Sequence, residues 1–192
     1  MTKQTWKPGT MIYPVPAVMV TCGDINNISN IITIAWTGTI CSDPAMTYIS
    51  IRPERYSYGI IKDTMEFVIN LTTESLARQT DYCGVKSGRD INKFIETKLT
   101  PEKASLVKCP LIKESPVNVE CKVEQIISLG SHDMFLAKVI AVNVDENYID
   151  VKGKFNFDKA SPICYSHGQY YGLKESLGHF GFSVLKKKAK SK

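Results

Sequence analysis

The sequence predicts a mainly β fold, an antiparallel β-barrel with a few helices that cover its ends. The clearest observation is residues 117–129, where apolar and polar residues alternate as they do in a half-buried antiparallel strand. A second observation is the number of short β-branched segments that are separated by turn residues. Helical spacing occurs only in short stretches between these segments, which is typical of a barrel with a few interposed helices.

The length and charge of the chain indicate one neutral domain. Its 192 residues suffice for a single domain with a sizeable core, which we expect over residues 1–185. The formal net charge of +5 comes from five lysines in residues 186–192, because the basic residues outside that segment equal the 19 acidic residues in number. We expect this basic segment to be a flexible tail, and we do not expect nucleic-acid binding.

Several function classes lack support in the sequence. The N-terminal segment is broken by prolines and has no apolar secretory core, and no run of about 18 apolar residues could span a membrane. The six cysteines form no C-x-x-C pair, and the three histidines have no Glu or Cys at ligand spacing, so no metal site is predicted. No G-x-S-x-G, G-x-G-x-x-G or Walker A motif occurs. We therefore expect a cytoplasmic protein without a membrane partner.

The most informative stretch is residues 30–57. Its composition predicts strands over residues 31–36 and 46–51, joined by a polar turn over residues 37–44. The second strand ends at Pro53 and is followed directly by a helix. The free N–H groups of a helix start, beside hydroxyls and a guanidinium, suit an anion, most simply a phosphate.

A second signal for an anion lies at the start of a predicted helix after Asp90. Arg89 and Lys93 are one helical turn apart, where they and the free N–H groups of the helix suit an anion. The alternative is that both are ordinary surface charges. Four apolar residues recur at helical spacing and are expected to face the core: Ile91, Phe94, Ile95 and Leu99.

Taken together, these segments resemble the flavin reductase-like family, which has an FMN-binding split barrel, and most closely its flavoredoxin-like branch. The resemblance covers roughly residues 10–182. Its most specific parts are A-W-T-G at 35–38, D-P at 43–44, S-I-R-P-E-R-Y-S at 50–57, F-V-I-N at 67–70, S-G-R-D at 87–90 and G-S-H-D at 130–133. It implies a split barrel of the antiparallel Greek-key type, bound FMN, a homodimer and redox chemistry.

The resemblance also implies which residues form the site. The flavin ring would lie near residues 33–38, and the phosphate near some of Ser50, Arg52, Ser57, Arg89 and Lys93. The full predicted set of cofactor-binding residues is Asn30, Thr33, Ile34, Ala35, Trp36, Thr37, Gly38, Ser50, Ile51, Arg52, Tyr56, Ser57, Cys83, Gly84, Ser87, Arg89 and Lys93.

A turn between the two long predicted strands carries His132. The resemblance places this histidine near the flavin, as a catalytic residue that orients a hydride donor. A surface turn histidine is the alternative, and Trp36 and Cys83 could likewise be core residues. The segment over residues 165–182 is rich in Tyr, Gly and His and is predicted to be a loop over a site or a subunit interface. Its candidate interface aromatics are Tyr170, Tyr171 and Phe180.

Two function classes remain open. The first is an enzyme that oxidises NADH or NADPH and reduces flavin or another acceptor through bound FMN. The second is an electron-transfer flavoprotein without its own NAD(P)H oxidation, which a protein redox partner reduces. A flavin-binding protein without turnover is a third alternative. No feature of the sequence separates the first two classes.

Overall fold

The computed structural model of this protein describes residues 1–184, and antiparallel strands dominate it. The strands are β1 (Val15–Pro16), β2 (Val18–Gly23), β3 (Ser29–Ile34), β4 (Thr37–Ser42), β5 (Ala45–Ile51), β6 (Glu66–Asn70), β7 (Pro101–Glu102), β8 (Leu111–Ile112), β9 (Val117–Ser128), β10 (Asp133–Val144), β11 (Ile163–Ser166) and β12 (Gln169–Gly172). The α-helices are α1 (Tyr56–Thr64), α2 (Ala77–Val85) and α3 (Lys93–Thr97), and short 3-10 helices lie at Glu74–Leu76, Glu146–Tyr148, Phe157–Ala160 and Phe182–Val184. The predicted basic tail lies outside the described residues.

Seven strands form one antiparallel sheet in the order β3-β2-β6-β9-β10-β5-β4. Within it β5, β6, β9 and β10 form a Greek key, because β10 returns to pair with β5 while β6 pairs with β9. The Ser50 N–H donates to the Trp36 carbonyl at 2.9 Å, so the chain just after β3 reaches β5. This bond continues the β4–β5 pairing up to the end of β3. The predicted antiparallel split barrel is confirmed.

The core lies on both faces of β2 and β3, which explains why nearly every residue of these strands is buried. Alternate residues of a strand point to opposite faces. Val20 therefore packs inside the barrel with Phe67 and Phe135. Met19 and Ile31 instead pack outside the barrel, against residues from α2, α3 and their flanking segments. The helices are thus fixed directly on the outer face of β3.

The predicted turn over residues 37–44 is wrong for most of its length. Thr37–Ser42 forms β4, which pairs with β5, and the chain reverses only at Asp43-Pro44. β4 is the last strand of the sheet and much of it is exposed, so its residues show no apolar alternation. Since the strand signal depends on a buried face, the sequence pattern does not reveal this edge strand.

The predicted loop over residues 165–182 also contains regular structure. β11 and β12 pair as a hairpin whose two-residue turn is His167-Gly168. Both turn residues have positive φ, 48° and 84°, as a type I′ turn requires. A histidine in the first of these positions is not the usual signal for such a turn, which is why the hairpin is hard to predict. From residue 173 to 180 the chain has no regular structure.

Helix α3 begins later and faces differently than its spacing predicts. Asn92 caps it by accepting from the Ile95 N–H at 3.3 Å, so the helix runs only over Lys93–Thr97. Phe94 and Leu99 are buried as predicted, whereas Ile95 is 72% exposed. The side chain of Lys93 turns inward and is only 3% exposed. The helix is too short to keep the period that the apolar residues suggest.

Two further findings concern the described part of the chain. None of the helices in residues 1–184 combines the length and apolar character that crossing a bilayer demands. All six cysteines are free.

Candidate functional site

Two adjoining hollows, of about 230 and 260 Å³, lie where β3, α1 and the end of α2 meet. Together they fall in the range of about 300–1,000 Å³ that is typical of ligand pockets. Their linings share Ile32 and Arg55, so the two hollows form one continuous cleft. We call the first the basic hollow and the second the β3 hollow.

The basic hollow is rich in positive charge. Its lining includes the cationic residues Arg55, Lys86, Arg89 and Lys93, against the single carboxylate of Glu54. The guanidinium of Arg89 lies 5.7 Å from the centre of the Tyr56 ring and donates to the Glu54 carbonyl at 3.2 Å. These contacts hold Arg89 across the mouth of the hollow, between α1 and the segment after α2. The electrostatics of this hollow favour an anion.

The N-terminus of α1 opens into the basic hollow. Arg55 occupies the N-cap position and makes no side-chain capping bond, which leaves N–H groups of the first turn without an intrahelical partner. Ser57 in this turn is buried, and its hydroxyl accepts from Asn30 Nδ2 at 2.8 Å. A helix N-terminus of this kind binds anions through its backbone and its dipole.

Lys93, at the start of α3, is a buried residue in the lining of the basic hollow. Its ammonium donates to the Ile31 carbonyl at 2.6 Å and to the Cys83 carbonyl at 2.7 Å. Burial lowers the pKa of Lys93 to about 8, and the nearby Arg55 charge acts in the same direction. Two of its three protons are donated to the backbone, which leaves one N–H donor and the positive charge for an anion. Its predicted role as an anion ligand stays a prediction.

The β3 hollow is lined mainly by strand residues. The chain from Ile32 to Trp36 lines it, and so do Ser50, Ile51 and Arg52, which adjoin Trp36 through the Ser50 N–H bond. Among the strands of residues 1–184, β3 is at the edge of the seven-stranded sheet, so its outer N–H and C=O groups have no partner strand there. This geometry offers both an apolar wall and backbone hydrogen-bonding groups to a flat ligand.

His132 lies at the rim of the β3 hollow, in the turn between β9 and β10. Its Nδ1 is 2.9 Å from the Ser131 hydroxyl. Partial burial and the nearby Arg52 guanidinium lower the pKa of His132, which favours the neutral imidazole. A neutral ring can donate or accept one hydrogen bond at each nitrogen, according to its tautomer.

A third, larger groove of about 550 Å³ adjoins the β3 hollow on the side of His132. We call it the apolar groove. The N-terminal segment around Met11, Ile12 and Tyr13 forms one side, and Trp36 lies between the groove and the hollow. The Tyr13 and Trp36 rings are 6.1 Å apart, which orders this part of the N-terminal segment against the barrel.

Most of the predicted site residues come together in the cleft. Six line the basic hollow: Asn30, Tyr56, Ser57, Ser87, Arg89 and Lys93. Nine line the β3 hollow: Thr33, Ile34, Ala35, Trp36, Ser50, Ile51, Arg52, Gly84 and His132. The predicted phosphate group of residues is divided, because Ser50 and Arg52 lie in the β3 hollow and the other three in the basic hollow.

Three predicted site residues lie outside both hollows. The Thr37 hydroxyl donates to the Tyr48 carbonyl at 2.6 Å, and Gly38 packs against the Tyr48 ring, because both residues belong to the edge strand β4. Cys83 is fully buried in the cluster between α2 and β3, and burial raises the pKa of its thiol to about 11. Its packing matches the alternative that the sequence left open.

The cleft also contains residues that the sequence does not single out as site residues. Arg55 lines both hollows, and Tyr165 reaches the β3 hollow from the hairpin that was predicted to be a loop. Gly88 approaches β3 so closely that a Cβ there would lie 2.1 Å from Asn30 Oδ1. The available signal for Arg55 was its position two residues after Pro53, at the start of a helix.

Comparisons with known proteins agree with this architecture. A sequence model of the flavin reductase like domain matches residues 10–174. An uncharacterised protein of Pyrococcus abyssi is 31% identical over 150 residues, which cover 77% of this chain and 86% of that protein. The structure of the flavoredoxin of Desulfovibrio vulgaris (Miyazaki F) superposes with a TM-score of 0.88 at 28% identity, covering 96% of this chain and all of that chain.

A more distant structure shows the fold alone. The FMN-binding protein from Thermus thermophilus with bound 1-cyclohex-2-enone superposes with a TM-score of 0.77 at 21% identity, covering 93% of this chain and 98% of that chain. The family match spans most of the chain and includes every element that lines the cleft. This protein belongs to the flavin reductase like domain family.

Proposed function

We propose that this protein binds FMN along the cleft and uses it to transfer electrons from NADH or NADPH to an acceptor. The observation that carries the proposal is the division of one continuous cleft into a cation-rich end and a strand-lined end. FMN has the same division, since a phosphate of about −1.5 to −2 charge terminates one end and a planar ring forms the other. Similarity to a protein named as a flavoredoxin supports this choice.

The basic hollow fits the phosphate. Ser57, Arg89 and the N–H groups at the start of α1 would hold its oxygens, and Ser87 also lines the hollow. Gly88 lets the segment after α2 close against Asn30, where a larger residue would collide. Charge-assisted bonds of this kind are each worth about 1.5–3 kcal/mol, so the phosphate would contribute much of the affinity.

The β3 hollow fits the isoalloxazine ring. The outer edge of β3 would bond the polar edge of the ring, and Trp36 and Tyr165 would supply apolar contact. Bound FMN supplies the ability to accept and give up electrons, while the protein holds the ring and controls its surroundings. His132, at the rim of the β3 hollow, would orient the nicotinamide of a donor that enters along the apolar groove.

A protein electron carrier is the second candidate function. The specific observation in its favour is the structural match to a flavoredoxin, at 28% identity over nearly the whole chain. In this case a redox partner would reduce the FMN, and the protein would not oxidise NADH or NADPH itself. The open rim of the β3 hollow would then face that partner rather than a nucleotide.

We further propose that the protein is a homodimer. Large apolar side chains are exposed at both ends of the described chain, including Ile12 at 90%, Leu177 at 96% and Phe180 at 106%. Ile12 also lines the apolar groove, and a contiguous apolar surface is typical of an interaction site. A second copy would cover these residues and part of the adjoining apolar groove.

Rapid mixing of the FMN-loaded protein with NADH or NADPH tests the proposed enzyme. Loss of the flavin absorption band within seconds at micromolar donor is the expected result with at least one nucleotide. Absence of bleaching with both nucleotides, in protein whose FMN is readily reduced by dithionite, would favour the carrier function. His132→Ala should slow the bleaching without releasing FMN, since His132 lies at the rim and not at the phosphate end.

A further inference from the structure

The carbonyl end of α2 lies in the wall of the basic hollow. α2 ends at Val85, and the hollow is lined by the next residues, Lys86 to Arg89. Lys86 adopts an extended conformation, with φ −79° and ψ 148°, so the helix lacks the left-handed residue that commonly terminates helices. Its last carbonyls therefore need partners from elsewhere in the chain.

Side chains from the cleft supply those partners. Arg55 Nη2 donates to the Gly84 carbonyl at 2.6 Å, and Lys93 Nζ donates to the Cys83 carbonyl at 2.7 Å. One turn earlier, the Thr33 hydroxyl donates to the Thr80 carbonyl. Lys93 also donates to Ile31 at 2.6 Å and so joins the helix end to β3. The end of α2 is thus capped by two cations that also line the hollow.

The field of the helix makes this arrangement necessary for anion binding. A helix C-terminus carries the equivalent of about half a negative charge and disfavours an anion nearby. The N-terminus of α1 and the C-terminus of α2 therefore act in opposite directions on the same hollow. Arg55 and Lys93 lie between the α2 carbonyls and the hollow, where their charges outweigh that of the helix end.

We infer that Arg55 and Lys93 are positioning residues for the basic hollow. By capping α2 they hold the segment over residues 86–89 against β3, and they replace a repulsive helix end with a positive wall. They act on the ligand through the helix rather than as its main hydrogen-bond donors, a role that Arg89 takes. The inference rests on the proposed binding of FMN where it is tested by flavin affinity. Its test by the melting temperature of the flavin-free protein does not depend on FMN.

The two roles predict opposite effects on the flavin-free protein. A cation that serves only a ligand repels its neighbours when the ligand is absent, so its removal leaves the melting temperature unchanged or raises it. Removal of a cap leaves a buried carbonyl without a hydrogen-bond partner and lowers the melting temperature. Lys93→Met should lower it by about 3 °C or more, the scale expected for lost buried hydrogen bonds in a domain of this size. The comparison variant Arg89→Gln should lower it by clearly less, because Arg89 is exposed and water can replace its bond to the Glu54 carbonyl.

A second measurement separates positioning from a purely structural role. The ratio of FMN to riboflavin affinity, from flavin titrations, isolates the phosphate end. Arg55→Gln keeps an N–H donor and loses the charge, and it should lower both the melting temperature and the ratio, the latter about tenfold, as for one charge-assisted bond. Arg55→Lys keeps the charge and should restore most of the ratio. If Lys93→Met does not fold, Arg55→Gln alone decides.

The inference is overturned if only one of the two quantities, the affinity ratio or the melting temperature, falls. A fall in the ratio without a fall in melting temperature would make Arg55 and Lys93 direct ligands. A fall in melting temperature with an unchanged ratio would make them structural caps only. If the wild-type protein binds neither flavin, the proposed function fails. In that case, the rise in melting temperature that inorganic phosphate gives is measured for the wild type and the variants in place of the affinity ratio. An equal rise in all of them would overturn the inference.

Discussion

The two arginines of the S-I-R-P-E-R segment have different places in the cleft. The backbone turns between them, with the Arg55 N–H donating to the Arg52 carbonyl at 3.0 Å. Arg52 then lines the β3 hollow beside His132 and forms an exposed ion pair with Glu54 at 3.6 Å, whereas Arg55 reaches the basic hollow. The resemblance places the phosphate near some of five residues that include Arg52, and the sequence does not show the turn that puts Arg52 in the β3 hollow.

Arg89→Ala should therefore affect FMN binding more than Arg52→Ala. We expect Arg89→Ala to weaken FMN binding about tenfold, the loss that one charge-assisted bond gives, and to leave riboflavin binding nearly unchanged. Arg52→Ala should change the affinities of both flavins by a similar factor, because its side chain lies at the ring end. Flavin titrations of the two variants measure both ratios. If Arg52→Ala lowers the ratio of FMN to riboflavin affinity more than Arg89→Ala does, the phosphate lies in the β3 hollow and our placement is wrong.

At the scale of elements, the sequence predicts those whose pattern reflects a buried face. Residues 117–129 alternate clearly and form β9, and the short segment after Pro53 forms α1. β4 is missed because it is an exposed edge, and the β11–β12 hairpin because its turn begins with a histidine. The burial of Lys93 is missed for another reason. It depends on carbonyls of β3 and α2, which only the assembled structure brings together.

The carboxylate of Glu120 on β9 joins this strand to the segment around Ser105 and to β10. It is fully buried, and its oxygens accept from the N–H groups of Ser105 at 2.8 Å and Leu106 at 2.6 Å. Asn143 on β10 donates to the same carboxylate at 2.7 Å. Burial alone would raise the pKa of Glu120, but these hydrogen bonds outweigh it and leave the pKa below its ordinary value.

Glu120→Gln should therefore destabilise the fold. An amide would direct its own N–H group at backbone donors, so we expect a loss of about 2–3 kcal/mol in the free energy of unfolding. Because the folded-state pKa is depressed, the stability that Glu120 adds is present above its unfolded pKa and is lost as pH falls through the folded value. The difference between wild type and variant in urea should thus shrink below about pH 4, near the ordinary pKa of a glutamate.

Glu114→Gln is the matched control for this measurement. Both oxygens of Glu114 accept from the Thr100 N–H, at 3.1 and 3.0 Å, but the residue is exposed and water can replace the bond. Its effect should be within about 0.5 kcal/mol. Equal destabilisation by the two variants, or a gap that does not change with pH, would contradict the role of burial at Glu120.

At the scale of the whole molecule, the distribution of apolar surface predicts a second copy. Light scattering of the flavin-loaded protein should give about twice the 21.5 kDa mass of the chain. Phe180→Ser and Leu177→Ser together should shift it towards the monomer, because both side chains are almost completely exposed in the single chain. Lys62 is an exposed residue on α1, and Lys62→Ser serves as a control that should leave the mass unchanged. A stable monomer that retains flavin would show that these residues have another partner.

The central claim is that one cleft binds FMN, with its phosphate in the basic hollow. Titration of the flavin-free protein with FMN and with riboflavin, followed by the quenching of flavin fluorescence, tests it most directly. We predict one FMN per chain and an affinity at least about tenfold higher than that for riboflavin, since the phosphate adds at least one charge-assisted bond. Equal affinities for the two flavins, or no binding of FMN, would contradict the account.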